Sequence, residues 1–397
     1  MTGKLLRPAI VSALLFFACF SVFAVPVAAG SDPHWENTTL INNVYLPSPD
    51  SGMDARYIAL GIGPDGTRHM SYFDNAKGEV IYARVRDGVA TAEKVAIAAG
   101  TYTTSIAVDP VNNTPAITFG NSDHELKYAY PSGTTWSVET VDSGRNLGEY
   151  SSLAFDRNGT PNIAYNDGWH YANLKFATRS ADGSWSNEVV DNGIYGKIGN
   201  TGYCPQLRIT DTGAFIAYRD GRTSLGTLRY ASRKNGESWE IVSVDAGDSW
   251  AGSSLGNTGY YPAFTFDQQG VPEFYYYDQH YEYLKRAVGP LIDKTFGNYD
   301  VVRDGGHVKG LFASVANKGK FGQDLDFRHL VFYDDDSGNL VYYPSDSNLA
   351  HNATFQTVDT GAGKYCAVAS DPAGFASIVY YDETNHAIKL AWQVAHP

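Results

Sequence analysis

The sequence predicts an all-β fold, a single seven-bladed β-propeller of four-stranded blades over residues 30–397. Three observations carry that expectation. One phrase recurs at a spacing of roughly 45 to 60 residues, the range of propeller blades. The chain has 28 Tyr, 40 Gly and 7 Trp, the mix that many short strands joined by tight turns require. Its two ends carry complementary fractions of one further unit.

The phrase has four parts. An apolar strand leads through a turn with Asp or Gly into a second strand ending Tyr-x-Asp. A loop follows, then a third strand of the type Leu-Lys-x-Ala, then a strand that often starts at Trp and ends Val-Asp-x-Gly. The second strands end at Tyr72-Phe73-Asp74, Tyr165-Asn166-Asp167, Tyr218-Arg219-Asp220, Tyr276-Tyr277-Asp278, Phe332-Tyr333-Asp334 and Tyr380-Tyr381-Asp382. Thr118-Phe119-Gly120-Asn121 fills the remaining slot in weaker form. Third strands follow at Val80–Ala83, Leu126–Ala129, Leu174–Ala177, Leu228–Ala231, Leu284–Ala287, Leu340–Tyr343 and Ile388–Ala391. Fourth strands close on Val141-Asp142, Val190-Asp191, Val244-Asp245 and Val358-Asp359, with Trp136, Trp185 and Trp239 opening three of them. Each unit alternates apolar and polar residues, as strands packed between neighbours do.

The last unit stops after its third strand, near Trp392, while an orphan strand-like segment runs from His34-Trp35 through Val44-Tyr45-Leu46. Joined, they complete one blade and remove the exposed sheet edges of an open ring. The irregular fifth and sixth units leave six or eight blades as alternatives. A tandem of two β-sandwiches explains neither the repeat nor the missing strand.

Residues 1–29 read as an export signal, which predicts a secreted or periplasmic protein. Lys4 and Arg7 precede an apolar run from Ala9 to Phe23, and cleavage motifs lie at Val22-Phe23-Ala24 and Val27-Ala28-Ala29. The alternative is an uncleaved anchor; no second apolar run is long enough to cross a bilayer. A net charge of -13 repels phosphate backbones and argues against a nucleic-acid partner. With Cys19 inside the signal, only Cys204 and Cys366 remain, too few for a disulfide scaffold or a cysteine metal site. A monomer is expected.

The blade pattern resembles the bacterial secreted sialidase-like, or BNR-type, group of propellers over nearly all of residues 30–397. It lacks a Phe-Arg-Ile-Pro motif, and Ser180-Ala181-Asp182-Gly183-Ser184-Trp185 is its nearest approach to an Asp box. In such a ring the loops entering first strands and leaving second strands emerge on one face, over the central channel. The loops entering the fourth and fifth units, Asn192–Tyr203 and Ala246–Tyr260, are long and end alike, in Gly199-Asn200-Thr201-Gly202-Tyr203 and Gly256-Asn257-Thr258-Gly259-Tyr260. Unequal long loops point to one specialised site. The same loop set holds His124, His170, His280 and His386 with Trp169, Tyr171, Arg222 and Tyr281, and His307 lies in the loop entering the sixth unit. Aromatic and cationic groups around a concave face suit an extracellular glycan, whose apolar sugar faces stack on rings.

Asp278-Gln279-His280-Tyr281-Glu282-Tyr283-Leu284-Lys285 is similar to the Asp-x-His-x-x-x-Leu element of propeller polysaccharide lyases such as the ulvan lyases, and Tyr261-Pro262-Ala263-Phe264 to their Tyr-Pro-x-Phe element. That resemblance implies β-elimination on a uronate polymer. A cation neutralises the carboxylate, a base removes the neighbouring C–H proton and an acid protonates the leaving oxygen. The implied roles place His170 and His280 near the carboxylate with Arg222 as charge partner, and Tyr171 or Tyr260 as base or acid. Further ligand contacts are expected from His124, Trp169, Tyr203, Trp250, Tyr261, Tyr281, His307 and His386. Binding without catalysis and glycoside hydrolysis are alternatives, as is a propeller for protein–protein interaction or adhesion at the cell envelope. No metal or cofactor is expected, although Asp334-Asp335-Asp336-Ser337-Gly338 could hold a structural calcium ion. Gly61-Ile62-Gly63-Pro64-Asp65-Gly66 matches a dinucleotide fingerprint by letter but reads as a turn before a strand.

Cys204 and Cys366 each follow a Tyr at the start of a first strand, in units nearly opposite across the ring. Their separation then exceeds the reach of a disulfide, about 7 Å between Cα atoms. Thiol titration of the processed protein under denaturing, non-reducing conditions is expected to find both thiols; finding none would mean they are bridged.

Overall fold

The computed structural model describes residues 34–47, 57–98, 103–144, 147–148, 150–168, 172–192, 201–221, 226–247, 249–250, 253–254, 257–267, 269–290, 295–300, 302–303, 306–317, 327–346 and 355–395. The expected export signal, residues 1–29, lies outside them. Seven antiparallel sheets of four strands form the ring, and no helix occurs among the described residues.

Blade 1 comprises Ile58–Ile62, Arg68–Asp74, Glu79–Arg86 and Val89–Ile97. Blade 2 comprises Thr104–Val108, Pro115–Gly120, Glu125–Ser132 and Thr135–Ser143. Blade 3 runs through Ser151–Phe155, Pro161–Asn166, Leu174–Arg179 and Trp185–Asp191, and blade 4 through Tyr203–Thr210, Gly213–Asp220, Thr227–Lys234 and Glu240–Asp245. Blade 5 holds Tyr260–Phe266, Pro272–Asp278, Tyr283–Val288 and Gly297–Asp300; blade 6 holds Gly310–Asn317, Phe327–Asp334, Asn339–Asp346 and Gln356–Asp359. Blade 7 takes Lys364–Ser370, Ala376–Asp382 and Ala387–Val394 from one end of the chain and His34–Asn42 from the other. The irregular fifth and sixth units are therefore ordinary blades, and the count is seven.

The closing strand pairs from His34 opposite Val394 to Asn42 opposite Ala387, and Trp35 donates from Nε1 to Gln356 Oε1 of blade 6 at 2.9 Å. The strand ends at Asn42, short of the expected Val44–Leu46. Asn43 turns the chain with φ 57°, and the next residues cross to blade 1. Val44 N donates to His386 O, and Asn75 N of blade 1 donates to Tyr45 O, both at 2.9 Å.

The three recurrent phrases of the sequence meet at single points between blades. Asp142, closing blade 2, accepts from Tyr165 Oη at 2.6 Å and from Lys175 Nζ, both of blade 3. Asp191 of blade 3 accepts from Tyr218 Oη at 2.7 Å and Arg229 Nη1 at 3.4 Å in blade 4. Asp245 of blade 4 accepts from Tyr276 Oη at 2.8 Å and Lys285 Nζ at 3.3 Å in blade 5. Asp359 of blade 6 repeats the arrangement with Tyr380 at 2.7 Å and with Lys389, both of blade 7. The fourth strand of one blade is thus latched to the second and third strands of the next.

Where a latch is missing, its charges are replaced or re-paired. Between blades 1 and 2, Ala96 stands at the carboxylate position and Phe119 at the tyrosine position; Lys127 remains and turns to Glu125 at 2.5 Å. Between blades 7 and 1, Ile41 and Ile81 take the carboxylate and cation positions. In blade 6, Phe332 faces Val341, and a different cluster joins that blade to blade 5. Glu273, 1% exposed, is held by Arg286 and by Arg328, whose Nε lies 2.5 Å from Oε2, and accepts from Tyr275 Oη at 2.5 Å. A buried charge without a partner costs far more than an apolar pair of the same shape.

The first strands line the channel and clasp one another. Ser105 Oγ of blade 2 accepts from Leu153 N of blade 3 at 3.0 Å, Ser152 Oγ from Leu207 N of blade 4 at 3.0 Å, and Ser314 Oγ of blade 6 from Val368 N of blade 7 at 3.1 Å. They surround a cavity of about 150 Å³ to which all seven blades contribute. Cys204 lines it; Cys204 and Cys366 are both buried and not bridged. Cys366 Sγ instead donates to Phe312 O at 3.2 Å.

Burial raises the Asp142 carboxyl, but Lys175 and Tyr165 outweigh it and hold it below the usual carboxylate range. A carboxylate depressed in the folded state adds stability above its unfolded value, about 3.9, and loses it as pH falls through the folded value. Asp142→Ala is expected to cost about 1–3 kcal/mol at pH 7, with the deficit shrinking below about pH 4. Urea denaturation at both pH values measures it; an equal deficit at each would show that the carboxylate charge is irrelevant.

Candidate functional site

The loops that enter first strands and those that leave second strands share one face of the ring. On that face the second-strand aspartates shape the loops that follow. Asp278, fully buried, accepts at Oδ1 from the backbone N–H of His280 at 3.0 Å and of Tyr281 at 3.2 Å. Lys285 bridges its Oδ2 at 3.0 Å to Asp245 and sits 5.6 Å from the Tyr281 ring centre. Burial lowers the Lys285 ammonium, but Asp245 and Asp278 outweigh it and raise it above its ordinary value. The blade 4–5 latch thereby fixes the root of the His280 loop.

Four rings form a ladder from that loop to blade 6. His280 meets Tyr281 at 4.6 Å, Tyr281 stacks on Tyr283 at 6.1 Å, and Tyr283 stacks on His307 at 3.7 Å. His280, Tyr281 and His307 are exposed. His307 is delivered by a small hairpin in which Val302–Arg303 pairs with Gly306–His307. Lys309 beside it contacts Glu282 at 3.5 Å and Asp335 at 3.1 Å.

A second cluster adjoins the ladder toward the channel. Arg219 donates from Nη2 to Tyr260 Oη at 2.9 Å and to Asn257 Oδ1 at 2.8 Å, and its guanidinium lies 3.9 Å over the Tyr260 ring. Tyr260 Oη donates to Asn257 Oδ1 at 3.0 Å, and Asn257 Nδ2 donates to Gln279 Oε1 at 2.5 Å. A fixed cation on a phenol oxygen, linked through Asn257 to Gln279 beside His280, can hold an anion or stabilise charge on that oxygen.

The channel mouth carries an aromatic collar. Tyr261 meets Phe312 at 4.6 Å, Phe312 meets Tyr365 at 4.7 Å, and Tyr365 meets Tyr57 at 4.7 Å. In blades 4 to 7 a one-residue bulge in the first strand sets Cys204, Tyr261, Phe312 and Tyr365 at φ between 46° and 56°. Left-handed backbone at bulky residues costs about 1–3 kcal/mol each and persists only where packing over-determines it.

Of the expected site residues, the structure gathers Tyr260, Tyr261, His280, Tyr281 and His307 around blades 5 and 6. Tyr203 pairs with Tyr150 at 5.7 Å, between blades 3 and 4. His124 is exposed on blade 2. His386 packs at a tilt on Tyr45 at 4.6 Å and bonds Tyr381 Oη at 3.2 Å, beside the chain crossing from blade 7 to blade 1. Trp169, His170, Tyr171 and Arg222 lie outside the described residues. Trp250 lies in a short ladder, Ser249–Trp250 with Ser253–Ser254, and its side chain is outside them. Ser253 and Ser254 of that ladder belong to Gly252-Ser253-Ser254-Leu255-Gly256, a nucleophile-elbow pattern in letters, whose other residues lie outside the described ones. Arg219, Asn257, Gln279 and Tyr283 are additions. The signal for Arg219 is in the repeat: the middle of Tyr-x-Asp is Phe73, Asn166, Tyr277, Tyr333 or Tyr381 in other units and a cation only in this one.

Asp334 accepts from Ser337 Oγ at 2.7 Å and Asp335 pairs with Lys309; among the described residues no group of three His, Cys, Asp or Glu side chains could hold a metal ion. Pro64-Asp65-Gly66 forms the expected turn, with Gly66 N donating to Gly63 O at 2.9 Å and a strand following at Arg68.

No protein-family model matches the sequence, and no curated protein matches it. Solved structures match the fold. The Penicillium chrysogenum alpha-L-arabinanase complexed with arabinobiose has 12% identity and a TM-score of 0.52, covering 90% of this chain and 98% of its own. A protein of unknown function from Dyadobacter fermentans has 12% identity and a TM-score of 0.53, covering 91% and 99%. The fucose-binding lectin of Aleuria aurantia has 12% identity and a TM-score of 0.47, covering 77% and 98%. At these identities the likeness to the first two is to the propeller fold alone.

Gly226 has φ 56°, and a methyl group there would collide with the Arg219 guanidinium. Gly226→Ala is expected to cost about 1–3 kcal/mol of stability in denaturant unfolding. Little change would mean that Arg219 is not held where the Tyr260 cluster needs it.

Proposed function

We propose that this chain is an exported carbohydrate-recognising propeller whose ligand lies across blades 5 and 6, with polysaccharide β-elimination as the finer reading. The exposed His280–Tyr281–Tyr283–His307 ladder supports it most directly. Sugar rings present apolar faces that stack on such platforms and hydroxyls that imidazoles can bond. The arabinanase with this fold holds a disaccharide, but that likeness extends only to the fold; the reading for this chain rests on its own ladder.

For elimination, Arg219 supplies the cation that a uronate carboxylate requires, and Tyr260 or His280 the proton acceptor. Arg219 takes the role expected of Arg222.

The deciding measurement follows ultraviolet absorbance of new unsaturated uronate with a panel of uronate and neutral polysaccharides, beside direct binding to the same panel. A rise that His280→Ala abolishes is the expected result for a lyase. Saturable binding without a rise keeps carbohydrate recognition and removes elimination. Neither signal with any polymer overturns both.

A further inference from the structure

A buried histidine module occurs twice in the ring, and only one copy is complete. In blade 6, His329 stands five residues before Asp334 in the second strand; its Nδ1 bonds Tyr342 Oη at 2.9 Å. Its Nε2 bonds Gly374 O at 3.1 Å, in the turn between the first two strands of blade 7. Trp35, from the fourth strand of blade 7, packs edge-on to Tyr342 at 4.9 Å.

Blade 1 repeats all parts but one. His69 stands five residues before Asp74, its Nδ1 bonds Tyr82 Oη at 2.7 Å, and Trp136 from the fourth strand of blade 2 meets Tyr82 at 5.0 Å. The turn of blade 2 differs. Asn113 (φ 54°) takes the left-handed position that Gly374 (φ 88°) holds in blade 7. His69 is 5% exposed, yet its Nε2 has no hydrogen-bond partner among the described residues, and neither has Asn113 Oδ1. Both residues line one groove of about 340 Å³ between blades 1 and 2. The groove opens among first-to-second and third-to-fourth strand turns, so it lies on the face opposite the His280 ladder.

Its walls define what would fill it. Trp136 is half-buried and tied by Nε1 to Glu93 at 2.9 Å, which fixes the ring as a platform. Arg86 is engaged by Asp65 at 3.7 Å and Thr67 at 3.3 Å. Arg84 is exposed and has no carboxylate partner among the described residues. In the complete copy the corresponding position is Pro344. Burial pushes the His69 imidazole down to about 4, so it is neutral at pH 7.

We propose that this groove is a second ligand site, taking one ring of an acidic sugar. The carboxylate meets Arg84 and the apolar sugar face lies on Trp136, above a floor that includes His69 and Asn113. A groove of this size holds one such ring, and a guanidinium is the side chain best suited to a carboxylate. The site is independent of the reading for the opposite face.

The test is saturation-transfer NMR with calorimetry on the full folded chain, using D-glucuronate as probe and D-glucose as neutral control. Glucuronate is expected to bind and glucose to bind at least about tenfold more weakly, because the carboxylate pair is missing. Arg84→Ala, a surface change that leaves the unfolding temperature in place, is expected to weaken glucuronate about tenfold, and Arg84→Glu to abolish it. His280→Ala, on the other face, is expected to leave it unchanged. No glucuronate signal would overturn the proposal. Binding that ignores Arg84 but is lost in His280→Ala would move the acidic sugar to the opposite face, and equal binding of glucose would overturn the acidic class.

Discussion

A carboxylate shared between a tyrosine and a cation joins one blade to the next, and the rest of the ring depends on that junction. The acidic partner closes one blade, while the phenol and the cation belong to the second and third strands of its neighbour. No member is useful alone. Asp142 without Lys175 is a half-buried anion, and Lys175 without Asp142 is a cation turned into protein. Ala96, Phe119 and the re-paired Lys127 therefore change together, as do Ile41 and Ile81. Interfaces of this kind exist in two self-consistent forms, charged or apolar, and mixed forms carry the desolvation penalty.

The junction between blades 4 and 5 also reaches the surface. Lys285 touches Asp245, Asp278 and the Tyr281 ring, so the group that seals the interface also orients the loop bearing His280. Scaffold and site share a side chain there, whereas His124 and His386 stand on loops without that link.

Periodicity in the sequence reveals strands, their order and the shared seventh blade, because alternation and turn residues are local signals. It does not reveal which side chains of different blades meet. Tyr-x-Asp, Leu-Lys-x-Ala and Val-Asp-x-Gly are visible as separate strand endings, and only the ring brings them to one point. The same limit governs the site. His280, Tyr281 and His307 are legible as loop residues of one face, but the stack through Tyr283 depends on the hairpin at Gly306–His307. Arg219 lies inside a strand and is marked only by comparing the repeats, as the one cation at the middle of Tyr-x-Asp. The short closing strand was also beyond reach, since the left-handed turn at Asn43 follows from the crossing to blade 1 and not from residue type.

The closing blade has a consequence in time. His34–Asn42 is made first and Ala387–Val394 last, yet they are hydrogen-bonded neighbours. During synthesis the leading strand has no sheet to join until more than three hundred further residues have emerged, and each blade already formed waits with one open flank. Pairings so distant along the chain form slowly and leave strand edges available to other molecules in the interval. The ring is thus most vulnerable just before it is finished, and its last act of folding is the one that seals it.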